Sequence, residues 1–286
     1  MRGTIGLFCA TAVLQFASIA PAQSVYLGFD KNDYPGDATL PALRKSFQYT
    51  SYWLNNPPGL DHNPWIGKRS LIKQQGFGFL VLFNGRLHRE LQAKDATALG
   101  TSDGNAAVDS AIREGFPRDI RIYLDQEEGG RLLSDQADYV FSWIDAVRGR
   151  GARAGVYCSA IDVPEGNSRI NTAENILQLE AQRSKPETKS QAFSVLKLWI
   201  ANDQCPPAPG CTSTNLQPSS GAPRLNDHRQ IVVWQYAQSP RRAQFSSGCP
   251  QNAAPDGKCY APLLPHSSAT FVDLDVATSP DPSEQR

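Results

Sequence analysis

Short apolar runs rich in β-branched and aromatic residues recur along the chain, and each of them ends in polar residues. Runs of this length and composition, bounded by turn residues, predict β-strands. Eight such runs are present, at residues 25–30, 47–54, 78–84, 120–125, 154–159, 196–201, 231–236 and 271–275.

Apolar residues at helical spacing occupy the segments between the early strands. They predict five helices, at residues 40–46, 67–75, 105–114, 131–150 and 171–183. The fourth has the clearest pattern, because its apolar residues fall on one stripe of a helix. These residues are Leu133, Ala137, Val140, Phe141, Ile144 and Val147.

Strands that alternate with helices predict parallel βα units, and eight of them favour closure into an α/β barrel of the TIM type. The last three strands are followed only by loops rich in Pro, Ser, Gly and Cys, so we expect poor helical cover there. A doubly wound open sheet is the rival fold, although no Gly-rich nucleotide loop follows the first strand. We expect one barrel domain over residues 23–278 and a disordered tail over residues 279–286.

Composition and charge narrow the class of partner. Among 286 residues, 28 are Lys or Arg and 28 are Asp or Glu, so no net charge attracts nucleic acid or anionic lipid. A neutral glycan suits this balance better, and we expect a monomer without a membrane span.

The first 22 residues have the pattern of a secretory signal peptide. Arg2 precedes an apolar stretch over residues 5–19, and Ala20-Pro21-Ala22 offers the small residues that a signal peptidase requires. A retained N-terminal anchor is the alternative, but the apolar stretch is short for a membrane span. We therefore expect a secreted or periplasmic protein.

Export makes the cysteines interpretable as disulfide partners. Cys205 and Cys211 enclose one polar loop, and Cys249 and Cys259 enclose another. We expect each of these two pairs to form a disulfide, although four cysteines allow three pairings. Cys158 lies in an apolar strand and is expected to be a buried free thiol. No Cys and His residues have the spacing of a zinc site, and no cofactor is expected.

Carboxylates gather where predicted strands end, which is where the active sites of parallel barrels lie. Asp30 ends the first strand, Asp125 and Glu127 end the fourth, and Asp273 and Asp275 end the last. Side chains alternate along a strand, so Asp125 and Glu127 point the same way, about 6–7 Å apart. A pair at this spacing can hold one neutral acid beside one carboxylate, as glycoside hydrolysis requires. Capping of loops and binding of a divalent metal are the alternatives.

Aromatic residues occupy the same strand ends and could stack on the apolar faces of a sugar. They are Tyr157, Trp199, Trp234 and Tyr236. Packing inside the barrel is the alternative for each of them. Alternation does not decide whether Trp234 or Gln235 points inward, because either phase of that strand could be buried.

Six short motifs resemble, in order, the strand motifs of family 25 glycoside hydrolases, the family of one group of lysozymes. They are Gly28-Phe-Asp30, Tyr123-Leu-Asp-Gln-Glu127, Gly155-Val-Tyr-Cys-Ser159, Leu198-Trp-Ile-Ala201, Val233-Trp-Gln-Tyr236 and Val272-Asp-Leu-Asp275. More closely, the chain resembles the secreted glycoside hydrolase-like branch, domain-of-unknown-function family 1906. The likeness extends from about Val25 to about Ala277.

The resemblance implies a role for each matching residue. Glu127 would be the general acid that protonates the leaving oxygen, and Asp125 would orient the N-acetyl group of the substrate. Asp30 and Asp273 would adjust the charge and hold the sugar. Tyr157, Trp199, Trp234 and Asp275 would contribute to substrate binding. Glu128 follows Glu127 directly, but alternation turns it away from Asp125.

Two hypotheses follow from the sequence. The first is a secreted glycosidase that cleaves an N-acetylated glycan such as peptidoglycan, with substrate-assisted chemistry. The second is a non-catalytic barrel that binds glycan or associates with the cell envelope, keeping the cleft without turnover.

Overall fold

A computed structural model describes residues 26–183, 195–202, 230–238 and 272–284, which contain ten strands. Eight of the strands close into a barrel in the order β1-β10-β9-β8-β5-β4-β3-β2, and β6 pairs with β7 in a separate hairpin. The strands are β1 (Tyr26–Asp30), β2 (Tyr49–Trp53), β3 (Gly78–Asn84), β4 (Arg121–Gln126), β5 (Arg153–Ser159), β6 (Val163–Glu165), β7 (Ser168–Ile170), β8 (Lys197–Ala201), β9 (Ile231–Ala237) and β10 (Asp273–Ala277). The predicted eight-stranded α/β barrel is confirmed.

The described helices follow the barrel strands as the sequence predicts, with one short addition after β3. They are α1 (Leu40–Leu43), α2 (Arg69–Gln74), α3 (His88–Leu91), α4 (Ala96–Arg113), α5 (Ser134–Gly149) and α6 (Thr172–Arg183). Helix α4 begins well before the predicted residue 105. Its true start is capped by Asp95, whose side chain accepts a hydrogen bond from the Ala98 N–H.

The last barrel strand runs against its neighbours. β10 pairs antiparallel with both β1 and β9, whereas the other barrel pairs are parallel. The expectation that all strands are parallel is therefore wrong at β10. Because β10 is reversed, its first residue, and not its last, lies at the rim where the other strands end. Asp273 is consequently paired with Asp30 across the two strands.

Several expectations concern residues outside the described ranges. They are the signal peptide at residues 1–22, the poor helical cover after β8 and β9, and the disulfides Cys205–Cys211 and Cys249–Cys259. Cys158 is described, and it is a buried free thiol as expected. Burial raises the pKa of this thiol, so it remains protonated at neutral pH.

The segment from Ser279 to Glu284 packs against the barrel, so the expected disordered tail is wrong for these residues. The Ser283 carbonyl accepts hydrogen bonds from the Arg121 N–H at 3.0 Å and from Arg153 Nη2 at 2.9 Å. The Ser283 hydroxyl accepts another from the Val81 N–H at 2.8 Å. The segment is polar, like a free terminus. Its Ser283 oxygens nevertheless accept hydrogen bonds from strand N–H groups at the end of the barrel opposite the acidic rim.

Helices α4 and α5 pack with their backbones in close approach. A methyl group added at Gly100 would lie 2.3 Å from the Tyr139 carbonyl oxygen, and one at Gly104 would lie 2.7 Å from the Trp143 carbonyl oxygen. Glycine has a low helix propensity, so the sequence pattern did not predict the first half of α4. The lack of a side chain at these two glycines is what lets the two helices meet.

This contact predicts opposite results for two glycine-to-alanine substitutions in helices. Gly100→Ala should lower the free energy of unfolding by about 1–3 kcal/mol, because the methyl group has no room against α5. Gly149→Ala, where nothing lies within 4 Å of the added methyl group, should leave stability unchanged or raise it by up to about 1 kcal/mol. Urea denaturation of both variants measures this difference. Equal stabilisation by the two alanines would contradict the close packing.

Candidate active site

A pocket of about 230 Å³ opens at the rim where β1, β4, β5 and β8 end. Five of its lining residues are acidic, namely Asp30, Asp33, Asp125, Glu127 and Asp273. Three are aromatic, namely Trp53, Tyr157 and Trp199, and the others are Lys31, Asn32, Leu82, Gln235 and Gln238. The four carboxylates that the sequence singled out as catalytic candidates therefore line one cavity.

Strand register brings these residues together. Asp30 pairs with Asp273, and Asp125 pairs with Tyr157, which in turn pairs with Trp199 on the next strand. Paired residues on neighbouring strands point to the same face of the sheet, so they share the interior of the barrel. Glu127 follows β4 and lies two residues beyond Asp125, on the same side.

Asp125 is the acidic residue of β4, and it is buried. Asp125 is only 3% exposed, and within the described ranges neither of its oxygens accepts a hydrogen bond from a backbone N–H, an amide or a cationic side chain. Its partner in the pocket is the carboxyl group of Glu127. Burial raises the pKa of Asp125 well above its usual range, and the like charges of Glu127 and Asp30 raise it further. A carboxyl group that favours its neutral form can share a proton with Glu127 or contact a ligand that enters the pocket.

Asp30, at the end of β1, lines the same pocket as Asp125 and is also buried. Its Oδ1 atom accepts a hydrogen bond from Gln235 Nε2 at 2.9 Å. Burial raises the pKa of Asp30 well above its usual range, and the charge of Asp273 adds to the increase. The Gln235 hydrogen bond acts in the opposite direction, because it stabilises the carboxylate.

The aromatic side of the pocket is made by Tyr157 and Trp199, whose ring centroids are 4.6 Å apart at an interplanar angle of 61°. The Tyr157 hydroxyl donates to Gln235 Oε1 at 2.9 Å. Burial raises the pKa of Tyr157, so the hydroxyl keeps its proton. Both residues occupy the place that the sequence predicted for sugar binding.

Two residues predicted to bind substrate do not line the pocket. Asp275 is fully buried beneath it, one step further along the β10 face that carries Asp273, and accepts a hydrogen bond from Trp199 Nε1 at 3.0 Å. Trp234 donates its indole N–H to the Asn202 carbonyl at 2.8 Å. On β9 the side chain that points into the barrel is therefore that of Gln235 and not that of Trp234, a choice that the sequence left open.

The side chains of Glu127 and Glu128 point in different directions, as expected from the alternation along the chain. Glu127 lines the pocket, whereas Glu128 Oε2 accepts hydrogen bonds from the His88 N–H at 2.6 Å and from Gln136 Nε2 at 2.7 Å. These contacts tie the segment after β4 to α3 and to α5. Glu128 therefore has a structural role outside the pocket.

Sequence reasoning missed Trp53 and Asp33, and it left the direction of Gln235 open. Trp53 ends β2 and could have been found by the strand-end rule that located Asp30. Asp33 lies in the loop after β1, where no periodicity fixes the direction of a side chain. Within residues 26–183 and the three shorter described ranges, no group of three or more His, Cys, Asp or Glu side chains has an arrangement that could hold a metal ion.

The sequence over residues 56–205 matches the family described as Rv2525c-like, glycoside hydrolase-like domain, which amounts to more than half of the chain. The chain belongs to this family. The resemblance to the glycoside hydrolase-like branch is thereby confirmed. No curated protein matches the chain.

Solved structures match the chain at low sequence identity, and one of them has a TM-score above 0.5, which shows the same fold. An uncharacterized B. stearothermophilus protein is 18% identical, with a TM-score of 0.54, and the match covers 88% of this chain and 95% of that one. The Mycobacterium tuberculosis Tat-secreted protein Rv2525c, solved with L-tartrate, is 9% identical over 89% and 95% of the two chains, with a TM-score of 0.49. A family 25 glycosyl hydrolase from Bacillus anthracis is 12% identical over 89% of each chain, with a TM-score of 0.44.

The burial of Asp125 predicts how protein stability depends on pH. Because its pKa is higher in the folded than in the unfolded protein, the folded state binds more protons between the two values, and stability falls as pH rises through that window. An asparagine side chain cannot ionise, so Asp125→Asn should have a higher Tm than the wild type at pH 7. The difference should shrink towards pH 4, close to the unfolded pKa of about 3.9.

Calorimetry from pH 4 to pH 8 measures this effect. Asp138→Asn, on the exposed face of α5, is the control and should leave Tm unchanged within about 1 °C at each pH. A lower Tm for Asp125→Asn at pH 7 would show that the carboxyl group is stabilised as an anion.

Proposed function

We propose that this protein hydrolyses a β-linked, N-acetylated glycan such as peptidoglycan. The observation that carries the proposal is the sharing of one pocket by Asp30, Asp125, Glu127 and Asp273 beside the rings of Tyr157 and Trp199. Cleavage of a glycosidic bond passes through a state with positive charge on the sugar, and acidic side chains stabilise that charge. The aromatic rings offer flat apolar surfaces for the sugar ring.

Glu127 would be the general acid. It follows β4 and lines the pocket, so its carboxylic acid could protonate the leaving oxygen of a bound glycoside. Asp30 and Asp273 face each other across β1 and β10 and would stabilise the developing positive charge.

Asp125 would orient the acetamido group of the substrate. Within the described part of the chain its oxygens accept no hydrogen bond from a backbone N–H, an amide or a cationic side chain, so an N–H of the substrate would supply a donor that the protein does not. That contact would favour the carboxylate form of Asp125 and hold the acetamido oxygen towards the anomeric carbon. Attack by that oxygen would replace an enzyme nucleophile, as in substrate-assisted hydrolysis.

The setting of the reaction is also proposed from the sequence. We expect export after cleavage near Ala22, one barrel domain beginning at about residue 23, and action as a monomer on cell-wall glycan outside the cytoplasm. No helix in the described part of the chain has the length and apolar character needed to cross a membrane.

Removal of the acid tests the proposal. The mature protein should release reducing ends from peptidoglycan or a chitin-like oligosaccharide, and Glu127→Gln should reduce kcat by about a hundredfold to ten-thousandfold. The reason is that glutamine keeps the shape of the side chain but has no acidic proton to give.

Glu128→Gln is the matched control, since it removes the neighbouring carboxylate, which faces away from the pocket. It should retain kcat within about tenfold, with a lower Tm because two hydrogen bonds to a charged acceptor are weakened. Saturable glycan binding without products in the wild type would instead support a non-catalytic glycan-binding barrel. Equal activity of the Glu127→Gln variant and the wild type would remove Glu127 from the mechanism.

A further inference from the structure

Gln235 connects two functional groups of the pocket through the two ends of its amide. Its Nε2 donates to Asp30 Oδ1 at 2.9 Å, and its Oε1 accepts from the Tyr157 hydroxyl at 2.9 Å. The side chain is 2% exposed and lines the pocket. Both contacts are therefore shielded from bulk water, where such hydrogen bonds are strong.

The direction of the two hydrogen bonds fixes the orientation of the amide. Burial raises the pKa of Tyr157, so its hydroxyl keeps its proton, which it donates to the amide oxygen of Gln235. The amide nitrogen then has to face Asp30. A tyrosine on β5 thus determines which end of a glutamine on β9 is presented to an aspartate on β1.

We propose that Gln235 is a positioning residue for Asp30: its amide, oriented by Tyr157, holds the Asp30 carboxylate in place and favours its ionised form against the acidic surroundings of the pocket. The inference deepens the proposed function, because a charged Asp30 is what would stabilise positive charge on the sugar.

The need for such a donor follows from the surroundings of Asp30. The charges of Asp273 and Glu127 disfavour its ionisation, and Lys31 is the adjacent cation. Asp275, whose own pKa is raised, acts in the other direction: like Gln235, it lowers the pKa of Asp30 through a side-chain hydrogen bond. The charged or titratable groups that face Asp30 or adjoin it are Asp273 and Asp275 on β10, Asp125 and Glu127 near the end of β4, Tyr49 on β2, Tyr157 on β5 and Lys31. The hydrogen bond from Gln235 opposes this repulsion at close range.

The experiment is a pH titration of the Asp30 carboxyl carbon by NMR in the mature protein labelled at the aspartate side chains, with the Asp30 signal assigned through its loss in Asp30→Asn. In Gln235→Met, which keeps the length of the side chain and removes the donor, the midpoint should move upward by about one to two pH units. An unchanged or lower midpoint would overturn the proposal.

Gln136→Met is the matched control. Gln136 is also a buried glutamine that donates to a carboxylate, but its partner is Glu128, outside the pocket. This substitution should leave the Asp30 midpoint where it is in the wild type. A shift equal to that of Gln235→Met would mean that the effect arises from general loosening of the protein and not from the lost donor.

Tyr157→Phe tests the orienting step and provides a second variant should Gln235→Met not fold. It removes the hydroxyl and keeps the ring beside Trp199, so the amide can turn over and the midpoint should move upward by less than in Gln235→Met. In the Gln235→Met background it should have little further effect. Equal shifts in both backgrounds would show that Tyr157 acts on Asp30 without Gln235.

The titration needs no turnover, so it separates the two proposals. Absence of glycan hydrolysis by the wild type together with a shifted midpoint in Gln235→Met would overturn the proposed function and leave the positioning role intact. Glycan hydrolysis by the wild type together with an unshifted Asp30 midpoint in Gln235→Met would support the proposed function and overturn the positioning role. If both hold, the acidic limb of the pH profile of kcat/KM should move in the same direction as the Asp30 midpoint.

Discussion

Repulsion between buried carboxylates is the constraint on which the site depends. The barrel brings Asp30, Asp125, Glu127 and Asp273 to one pocket, and burial together with mutual repulsion raises the pKa of Asp30 and Asp125. Such an arrangement costs stability unless protons or hydrogen bonds offset it. The partner of Asp125 is the carboxyl group of Glu127, whereas Asp30 accepts a hydrogen bond from the amide of Gln235. Two acids in one cavity thus have different surroundings, as acid and electrostatic roles in one active site require.

The alternation of strand residues explains why part of this site could be predicted from the sequence. Asp125 and Glu127 are two residues apart at a strand end, so their common direction follows from the period of the strand alone. Asp30 and Asp273 were placed correctly by their positions in predicted strands, but Asp273 reaches the rim because β10 is antiparallel. Sequence periodicity carries no information on the direction of a strand relative to its neighbours.

The remaining differences have physical causes of the same kind. β9 is largely buried, so hydrophobicity did not show whether Trp234 or Gln235 points into the barrel. Glycines that allow close helix contact concealed the start of α4. The polar Ser279–Glu284 segment was taken for a free tail because its burial rests on hydrogen bonds to strand backbones and not on apolar residues. Membership of a glycoside hydrolase-like family agrees with the barrel, but a fold does not determine its chemistry, which depends on the pocket.

A crystal structure of the Glu127→Gln protein with an oligosaccharide of N-acetylglucosamine tests the central claim most directly. We expect one sugar ring against Tyr157 and Trp199, with its acetamido N–H hydrogen-bonded to Asp125. The glycosidic oxygen should lie within hydrogen-bonding distance of the side chain at position 127. A saccharide bound elsewhere on the protein, or four acids that do not converge on one open cavity, would contradict the claim.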